Sequence, residues 1–70
     1  MSHMLWVSPY LDEWKVIEEG LATEEGIFDG REQAIEWACR VASRRLPCVV
    51  RVQDYCGNIT EQFAFASTVA

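Results

Sequence analysis

This 70-residue sequence has few side chains that could serve as the general base for a nucleophile. His3 is the sole histidine, and it lies in Met1-Ser2-His3, directly ahead of Met4. We interpret these three residues as an expression-tag remnant and leave them out of the functional assignment. Without an imidazole, the Ser–His and Cys–His pairs of nucleophilic catalysis are not available. We therefore expect no catalytic residues of this kind.

Carboxylates are the remaining groups that could act as general acids or bases. Most of them fall in an acidic segment or on the polar side of a predicted helix: Glu18, Glu19, Glu24, Glu25, Glu32 and Glu36. We interpret them as a solvated acidic surface, and an enzyme acting through paired carboxylates is the alternative. The four glycines are too scattered to form a phosphate-binding loop. The sequence predicts a protein that is not an enzyme.

Cys39, Cys48 and Cys56 are the candidates for a metal or redox site. They are odd in number and widely spaced, they contain no C-x-x-C pair, and no histidine remains to complete a zinc set. A Cys48–Cys56 bridge across the last predicted hairpin is geometrically possible, but a reducing cytoplasm disfavours it. We expect free thiols, no metal and no cofactor.

Four arginines form a candidate contact for an anion or a nucleic acid: Arg40, Arg44, Arg45 and Arg51. Trp37 lies near the first two, and arginine beside an aromatic ring recurs in such contacts. The simpler explanation is a helix C-terminus whose dipole favours cations, with Glu36 paired to Arg40. The net charge of −5 also argues against a general nucleic-acid binder. An accessory nucleic-acid-binding role is therefore the alternative function.

The composition is that of a soluble globular domain, with 50% hydrophobic and 24% charged residues. No apolar run approaches the roughly 18 residues that a membrane helix needs, and the sequence contains no charged-then-apolar pattern of a signal peptide. We expect a cytoplasmic protein with no membrane partner. The length allows one domain, which we place at residues 4–66, with residues 67–70 as a frayed terminus.

The clearest periodic pattern is a helix within residues 29–46. Small or apolar residues recur there at spacings of three and four and so share one face: Ala34, Ile35, Ala38, Val41 and Ala42. Asp29 is the predicted N-cap, Glu32 completes a capping box, and Pro47 ends the helix. A stripe this rich in alanine predicts a helix packed closely on a sheet.

Four strands are predicted around this helix: Met4–Ser8, Trp14–Glu19, Cys48–Gln53 and Ile59–Phe65. Pro9–Glu13 is predicted as a turn and residues 21–26 as a loop, with a short extended piece at Ile27-Phe28 as a possible end of that loop. Glu61 breaks the apolar alternation of the last strand, which a bulge or an exposed edge would resolve. The predicted fold class is α+β in the order ββαββ, a four-stranded, mostly antiparallel sheet with one helix packed on one face.

One helix covers one face of the predicted sheet. The opposite face then carries Ile17, Val49 and either Leu5 or Trp6, interleaved with polar residues. Exposed apolar area of this kind marks a contact surface, and a partly wet face, which antiparallel sheets tolerate, is the alternative. We expect a protein-interaction module, first of all a homodimer, that associates through this face or an edge strand. The candidate interface residues are Trp6, Ile17, Trp37, Val49 and Arg51.

Several different short motifs are spread along nearly the whole chain, from Leu5 to Phe65. They are Trp14-Lys15-Val16, Glu19-Gly20, Phe28, Ala34-Ile35, Ala38, Val49-Val50-Arg51-Val52 and Gly57-Asn58-Ile59. Together they resemble a family of small bacterial proteins, the domain of unknown function 2188. The resemblance implies a small α+β fold and a bacterial origin. It implies no activity, because no function is established for the family.

Overall fold

The computed structural model describes residues 2–20 and 24–66. Part of the predicted loop, residues 21–23, and the predicted frayed terminus, residues 67–70, lie outside the described residues. The elements in chain order are β1 (His3–Tyr10), β2 (Glu13–Glu18), β3 (Glu24–Phe28), α1 (Arg31–Ala42), β4 (Cys48–Gln53) and β5 (Ile59–Phe65). No helix in the described part of the chain has the length and apolar character needed to cross a membrane.

The sheet has five strands in the order β3-β2-β1-β4-β5. Neighbouring strands are antiparallel, except that β1 and β4 run parallel. The α+β class with a single helix among the described residues is confirmed. The predicted four-stranded, mostly antiparallel sheet is wrong in two details, since β3 adds a fifth strand and the β1–β4 pair makes the sheet mixed.

Strand β3 begins inside the segment predicted as a loop, at Glu24, and includes the short extended piece considered at Ile27-Phe28. It pairs antiparallel with β2, with Trp14 opposite Phe28 and Val16 opposite Gly26. Pairing with β2 satisfies backbone groups that would otherwise stay open at the β2 edge, and this outweighs the low strand propensity of Glu24 and Gly26. Because β3 takes the outer side of β2, the other side of β1 is left for β4.

The first hairpin is longer than its sequence pattern predicts. Pro9 and Tyr10 belong to β1 and pair with Trp14 and Glu13, so the predicted turn at these residues is wrong. The turn itself is Leu11–Asp12, and Leu11 takes the positive φ of 56° that so tight a reversal requires. Proline fits here because the pairing of β1 with β4 ends at Val7, so Pro9 lies in a part of β1 that pairs only with β2.

Helix α1 is shorter at both ends than the predicted segment. Gly30 is the N-cap, with extended backbone at φ −129° and ψ 153°, and no side chain caps the first turn. The predicted capping box of Asp29 and Glu32 is therefore wrong. The helix ends at Ala42 rather than before Pro47, because the chain must turn back there to reach the start of β4.

The core lies between α1 and one face of the sheet. Ala34, Ala38 and Ala42 are fully buried, as the alanine stripe predicts. They pack on the equally buried side chains of Leu5, Val7, Val16, Cys48, Val50 and Val52. Small helix residues let the helix axis approach the sheet closely, so the valines of the central strands fill the layer between them. The helix packs mainly across β1, β2, β3 and β4, which leaves β5 at the margin of the covered area.

The sequence predicts that β5 either contains a bulge or lies at an exposed edge, and the structure has both. Val52 pairs with Glu61 and Gln53 pairs with Ile59, so the register shifts by one residue between them. β5 is also an edge strand. Glu61 consequently points to the helix side, where its Oε1 accepts a hydrogen bond from Nη2 of Arg31 at 2.7 Å.

Candidate functional site

The sheet face that points away from α1 has no covering element among the described residues, and we call it the open face. Alternation fixes its members, because each is the neighbour of a buried residue on the same strand. Leu5 is buried and Trp6 lies on the open face, which settles the alternative left by the sequence. Its central residues are Trp6, Ser8, Lys15, Ile17, Val49, Arg51 and Gln53.

Four of the five predicted interface residues share the open face. Trp6 on β1 pairs with Ile17 of β2 on one side and with Arg51 of β4 on the other, and Val49 follows two residues before Arg51. All four are half-buried. The structure brings these four residues together, as the alternation predicts.

Trp37 does not belong with the other four. It lies on α1, on the opposite side of the sheet, and it is half-buried. Its ring packs against Phe28 of β3, with ring centroids 5.5 Å apart and planes inclined by 45°. The sequence pattern predicts Trp37 at the border of the apolar helix face. In the structure this border is covered by β3, most of which was not predicted as a strand.

Two cations of the open face lie over aromatic rings. The guanidinium carbon of Arg51 is 5.5 Å from the ring centroid of Trp6, and Nζ of Lys15 is 4.7 Å from that of Tyr10. Nε of Arg51 also donates to Oε1 of Gln62 at 3.0 Å. These contacts hold both side chains along the sheet, so the face presents positive charge and aromatic surface side by side.

The four predicted anion-binding arginines do not form one patch. Arg51 lies on the open face, whereas Arg40 is on the helix, where its Nη2 donates to Oε1 of Glu36 at 2.9 Å. Arg44 is exposed just after the helix. Arg45 forms an ion pair with Glu18. The structure does not bring the four arginines together, because the sheet separates Arg51 from the arginines on and after the helix.

A groove of about 440 Å³ opens on the open face near the turns that follow β1 and β4. Its lining includes Trp6, Ser8, Lys15, Gln53 and Tyr55. Oγ of Ser8 donates to Oε1 of Gln53 at 2.7 Å, and the amide nitrogen of Gln53 donates to the Gly57 carbonyl at 3.3 Å. The groove thus combines aromatic walls, one ammonium group and a hydrogen-bonded polar floor.

Tyr55 joins the two turns at this end of the sheet. Its hydroxyl donates to the carbonyl of Leu11 at 3.1 Å, and its ring meets that of Trp14 edge-on at a centroid distance of 6.5 Å. The side chain nevertheless remains 73% exposed. Tyr55 is a groove residue that the sequence reasoning missed, since it reads locally as part of a turn.

Asp54 organises the turn behind Tyr55. One carboxylate oxygen accepts the backbone N–H groups of Cys56 and Asn58, both at 2.9 Å. The hydrogen bond from the backbone of Asn58 is the main reason that the pKa of Asp54 lies below its usual value. Asp54 is therefore ionised at neutral pH, and its charge is engaged by the turn itself.

A second polar cluster lies on the helix side of the sheet. Nδ1 of His3 and Oε2 of Glu18 are 3.1 Å apart, and Arg45 donates to the other oxygen of Glu18. The hydrogen bond with His3 is the largest cause of a lowered pKa at Glu18, burial acts in the opposite direction, and Arg45 lowers it further. His3, left out of the sequence assignment, is part of β1 and of this cluster.

The cysteines are free, and Cys48 and Cys56 lie at opposite ends of β4. Cys48 is buried at the start of β4, whereas Cys56 is exposed in the turn after that strand. A six-residue strand that rises about 3.3 Å per residue separates them, which is far beyond disulfide range. Burial raises the pKa of the Cys39 and Cys48 thiols. Within the described residues, no group of three or more His, Cys, Asp or Glu side chains is placed to hold a metal ion.

A family of uncharacterized proteins conserved in bacteria, DUF2188, matches residues 5–65. The chain belongs to this family. The match covers most of the 70 residues and confirms the resemblance drawn from the short motifs. No curated protein and no solved structure matches the chain.

The motifs that resemble the DUF2188 family serve mainly the core. Val16, Ala34, Ala38, Val50 and Val52 are all fully buried beneath or on the helix. These motif residues therefore form the core of the fold, and membership of an uncharacterized family assigns no activity to the open face.

Proposed function

We propose that this protein is a non-enzymatic interaction module that associates with a second copy through its edge strand β5. The observation that carries the proposal is the state of β5, an edge strand of seven residues, Ile59–Phe65, lying at the margin of the helix-covered area. Such an edge presents a row of unpaired backbone groups to any strand of matching length.

Beyond the bulge at its Ile59–Glu61 end, β5 lacks the features that usually protect an edge strand. It contains no proline and no lysine, and its single charged residue is Glu61. That carboxylate is turned to the helix side and paired with Arg31, so it does not repel an approaching strand. Edge strands that avoid pairing carry charges or prolines, and β5 carries neither in a position to block contact.

The apolar side chains of β5 also favour association with a second copy. Phe63 and Phe65 point to the helix side and pack against the rim of the core, yet both remain half-buried. Burial of an aromatic side chain contributes strongly to association. A second β5 beside the first would bring the phenylalanines of both copies into one continuous apolar strip between the two helices.

Two β5 strands that pair about a two-fold axis do not bring their negative charges together. Antiparallel self-pairing about an axis at Phe63 sets Glu61 beside Phe65 of the second copy, so the two glutamates do not meet. Such an isologous contact is closed and yields a dimer. The product is a ten-stranded sheet with both helices on one side and the two open faces on the other.

The carboxylates support a non-enzymatic role. Glu18, Glu36 and Glu61 each form an ion pair with an arginine, and Asp54 is bound by backbone N–H groups. These groups are engaged in structural contacts, whereas a general acid–base pair needs carboxylates facing a substrate cleft.

Native mass measurement over a range of micromolar concentrations tests the proposal. We expect a species of twice the 8.0 kDa chain mass. Ala64→Lys places a charge on the exposed part of β5 and should give the monomer. Ile27→Lys is the matched control, because Ile27 is 49% exposed on the opposite edge strand and should leave the dimer intact.

Two results would overturn the proposal. One is a monomer at all concentrations for the unmodified chain. The other is dissociation by Ile27→Lys together with a persistent dimer for Ala64→Lys, which would move the contact to β3.

A further inference from the structure

A second groove, of about 340 Å³, lies where β3 meets the side of α1. Its lining combines one residue of β3 with four of the helix: Phe28, Gln33, Glu36, Trp37 and Arg40. The helix residues recur at spacings of three and four, so they share one side of α1. The other side of the helix faces β5, where Arg31 donates to Glu61. The groove therefore lies at the β3 end of the sheet, opposite the proposed dimer edge.

The floor of this groove is aromatic. Phe28 and Trp37 are both half-buried, with ring centroids 5.5 Å apart. A Cβ at Gly26 would lie 2.9 Å from Cε2 of Phe28 and 3.9 Å from Cη2 of Trp37, so both rings lie over the backbone of that glycine. The groove thus presents partly exposed aromatic surface beside the edge strand, where an apolar side chain can pack.

The backbone of β3 is the second part of the site. β3 is the outermost strand on its side of the sheet, so its outer edge carries unpaired backbone groups. The bulge of β3 lies between the pairs Val16–Gly26 and Ile17–Glu24, and residues 26–28, which lie beside the groove, pair regularly. A strand added at such an edge directs alternate side chains into the neighbouring groove, as in domains that bind extended peptides.

The charge around β3 selects the kind of peptide. Residues 16–30, which include all of β3, contain five carboxylates and no lysine or arginine. Asp29 is exposed directly after β3, and the cation that lines the groove, Arg40, is bonded to Glu36. A positively charged segment is therefore attracted to this edge. A second copy of β3 is disfavoured, because it would bring the same carboxylates face to face and would pair across two bulges.

We infer that the β3 edge binds a short basic peptide segment in extended conformation. Its backbone pairs with residues 26–28, and an apolar side chain at its centre packs on the rings of Phe28 and Trp37. Its lysine or arginine residues interact with the negative potential of residues 16–30. The site does not depend on the proposed dimer, because β3 and β5 are opposite edges of the sheet.

The probe is a fluorescein-labelled peptide, Lys-Val-Lys-Phe-Lys-Val-Lys with blocked termini, about seven residues long to match one strand. We expect saturable binding by anisotropy at about 150 mM salt. Glu36→Lys should weaken binding about fivefold or more, since it places a cation on the groove wall. Glu32→Lys is the matched control, because it makes the same charge change on the same helix at a side chain that is 93% exposed and outside the groove lining. It should bind as the unmodified chain does.

Two N-methylated forms of the peptide test the strand pairing itself. One carries the methyl groups at its odd positions and the other at its even positions, and each set removes the N–H donors of one edge. We expect the form methylated on the pairing edge to lose about tenfold or more in affinity, and the other form to bind well. Circular dichroism verifies that the protein variants are folded. The monomeric variant Ala64→Lys should bind the peptide as the unmodified chain does, which separates this site from the dimer edge.

Four outcomes overturn the inference. The first is no binding of the peptide by the unmodified chain. The second is equal affinity for the two N-methylated forms, which would exclude strand pairing. The third is equal weakening by Glu32→Lys and Glu36→Lys, or equal binding of the peptide with glutamates in place of its lysines, which would exclude a basic ligand in this groove. The fourth is loss of peptide binding in folded Ala64→Lys, which would move the site to β5.

Discussion

At the scale of single residues, Glu18 shows how a carboxylate is fixed in so small a fold. It lies on the helix side of β2, with 13% of its side chain exposed, between His3 and Arg45. The hydrogen bond with His3 and the contact with Arg45 favour the ionised form more than burial disfavours it, and the pKa of Glu18 falls below 4.5. The cluster ties the start of β1 and the segment after α1 to the end of β2.

This lowered pKa makes a pH-dependent contribution to stability. Because the pKa of Glu18 is lower in the folded state, its contribution is present above about pH 4.5 and is lost as pH falls through the folded-state value. We expect the free energy of unfolding of the unmodified protein to drop more between about pH 6 and about pH 3 than that of Glu18→Gln. Urea titrations across this range measure the difference.

The control for this series is Glu13→Gln, since Glu13 is exposed at the start of β2. Its stability should follow the unmodified protein through the acid range. Parallel curves for the unmodified protein and Glu18→Gln would contradict the role given to the cluster.

At Gly26 the ring of Phe28 comes too close to the backbone for a larger side chain. A Cβ added there would lie 2.9 Å from Cε2 of the Phe28 ring, which itself packs on Trp37. We expect Gly26→Ala to reduce the free energy of unfolding by about 1 kcal/mol or more. In a Phe28→Leu background the same change should cost little, and a double-mutant cycle in urea reports this coupling. Equal costs in both backgrounds would show that Phe28 is not the obstacle.

At the scale of elements, the alanine stripe of α1 fixes the distance between helix and sheet. Ala38 has no exposed surface and lies in the middle of the stripe, above the central valines. A larger side chain must push the helix outward or distort the core.

Ala38→Leu should therefore lower the free energy of unfolding by about 1–3 kcal/mol. Gln33→Leu, at an exposed position of the same helix, should change it by much less and controls for helix propensity. Chemical denaturation of the two variants gives the comparison. A neutral Ala38→Leu would mean that the layer between helix and sheet is loosely packed.

The helix and four of the five strands could be predicted from the sequence because their patterns are local. The three- and four-residue spacing of Ala34, Ala38 and Ala42 identifies the buried helix face, and the alternation around Val50 identifies the buried strand face. The same alternation correctly assigned Ile17, Val49 and Arg51 to the open face.

What the sequence could not show depends on contacts between distant segments. Strand β3 forms from acidic residues because β2 offers it an open edge, and no local pattern reveals this. The parallel pairing of β1 with β4 follows from that choice. Tyr55 and Trp6 line one groove only because the two end turns meet, which likewise depends on the tertiary structure.

At the scale of the whole molecule, the covering of the sheet is asymmetric. One helix covers one face across β1 to β4, and β5 leaves an edge with two half-buried phenylalanines. On the open face, two cations each lie over an aromatic ring. The proposed dimer uses the edge and leaves both grooves accessible.

Hydrogen exchange of backbone amides tests the central claim, that β5 pairs with a second copy, most directly. The unmodified chain is compared at concentrations below and above the midpoint of dimer formation. We expect amides of β5 to gain protection as concentration rises, because their outward N–H groups become bonded, while amides of the opposite edge strand β3 exchange at a constant rate. Protection of β5 that is independent of concentration, or a gain confined to β3 or to the open face, would contradict the account.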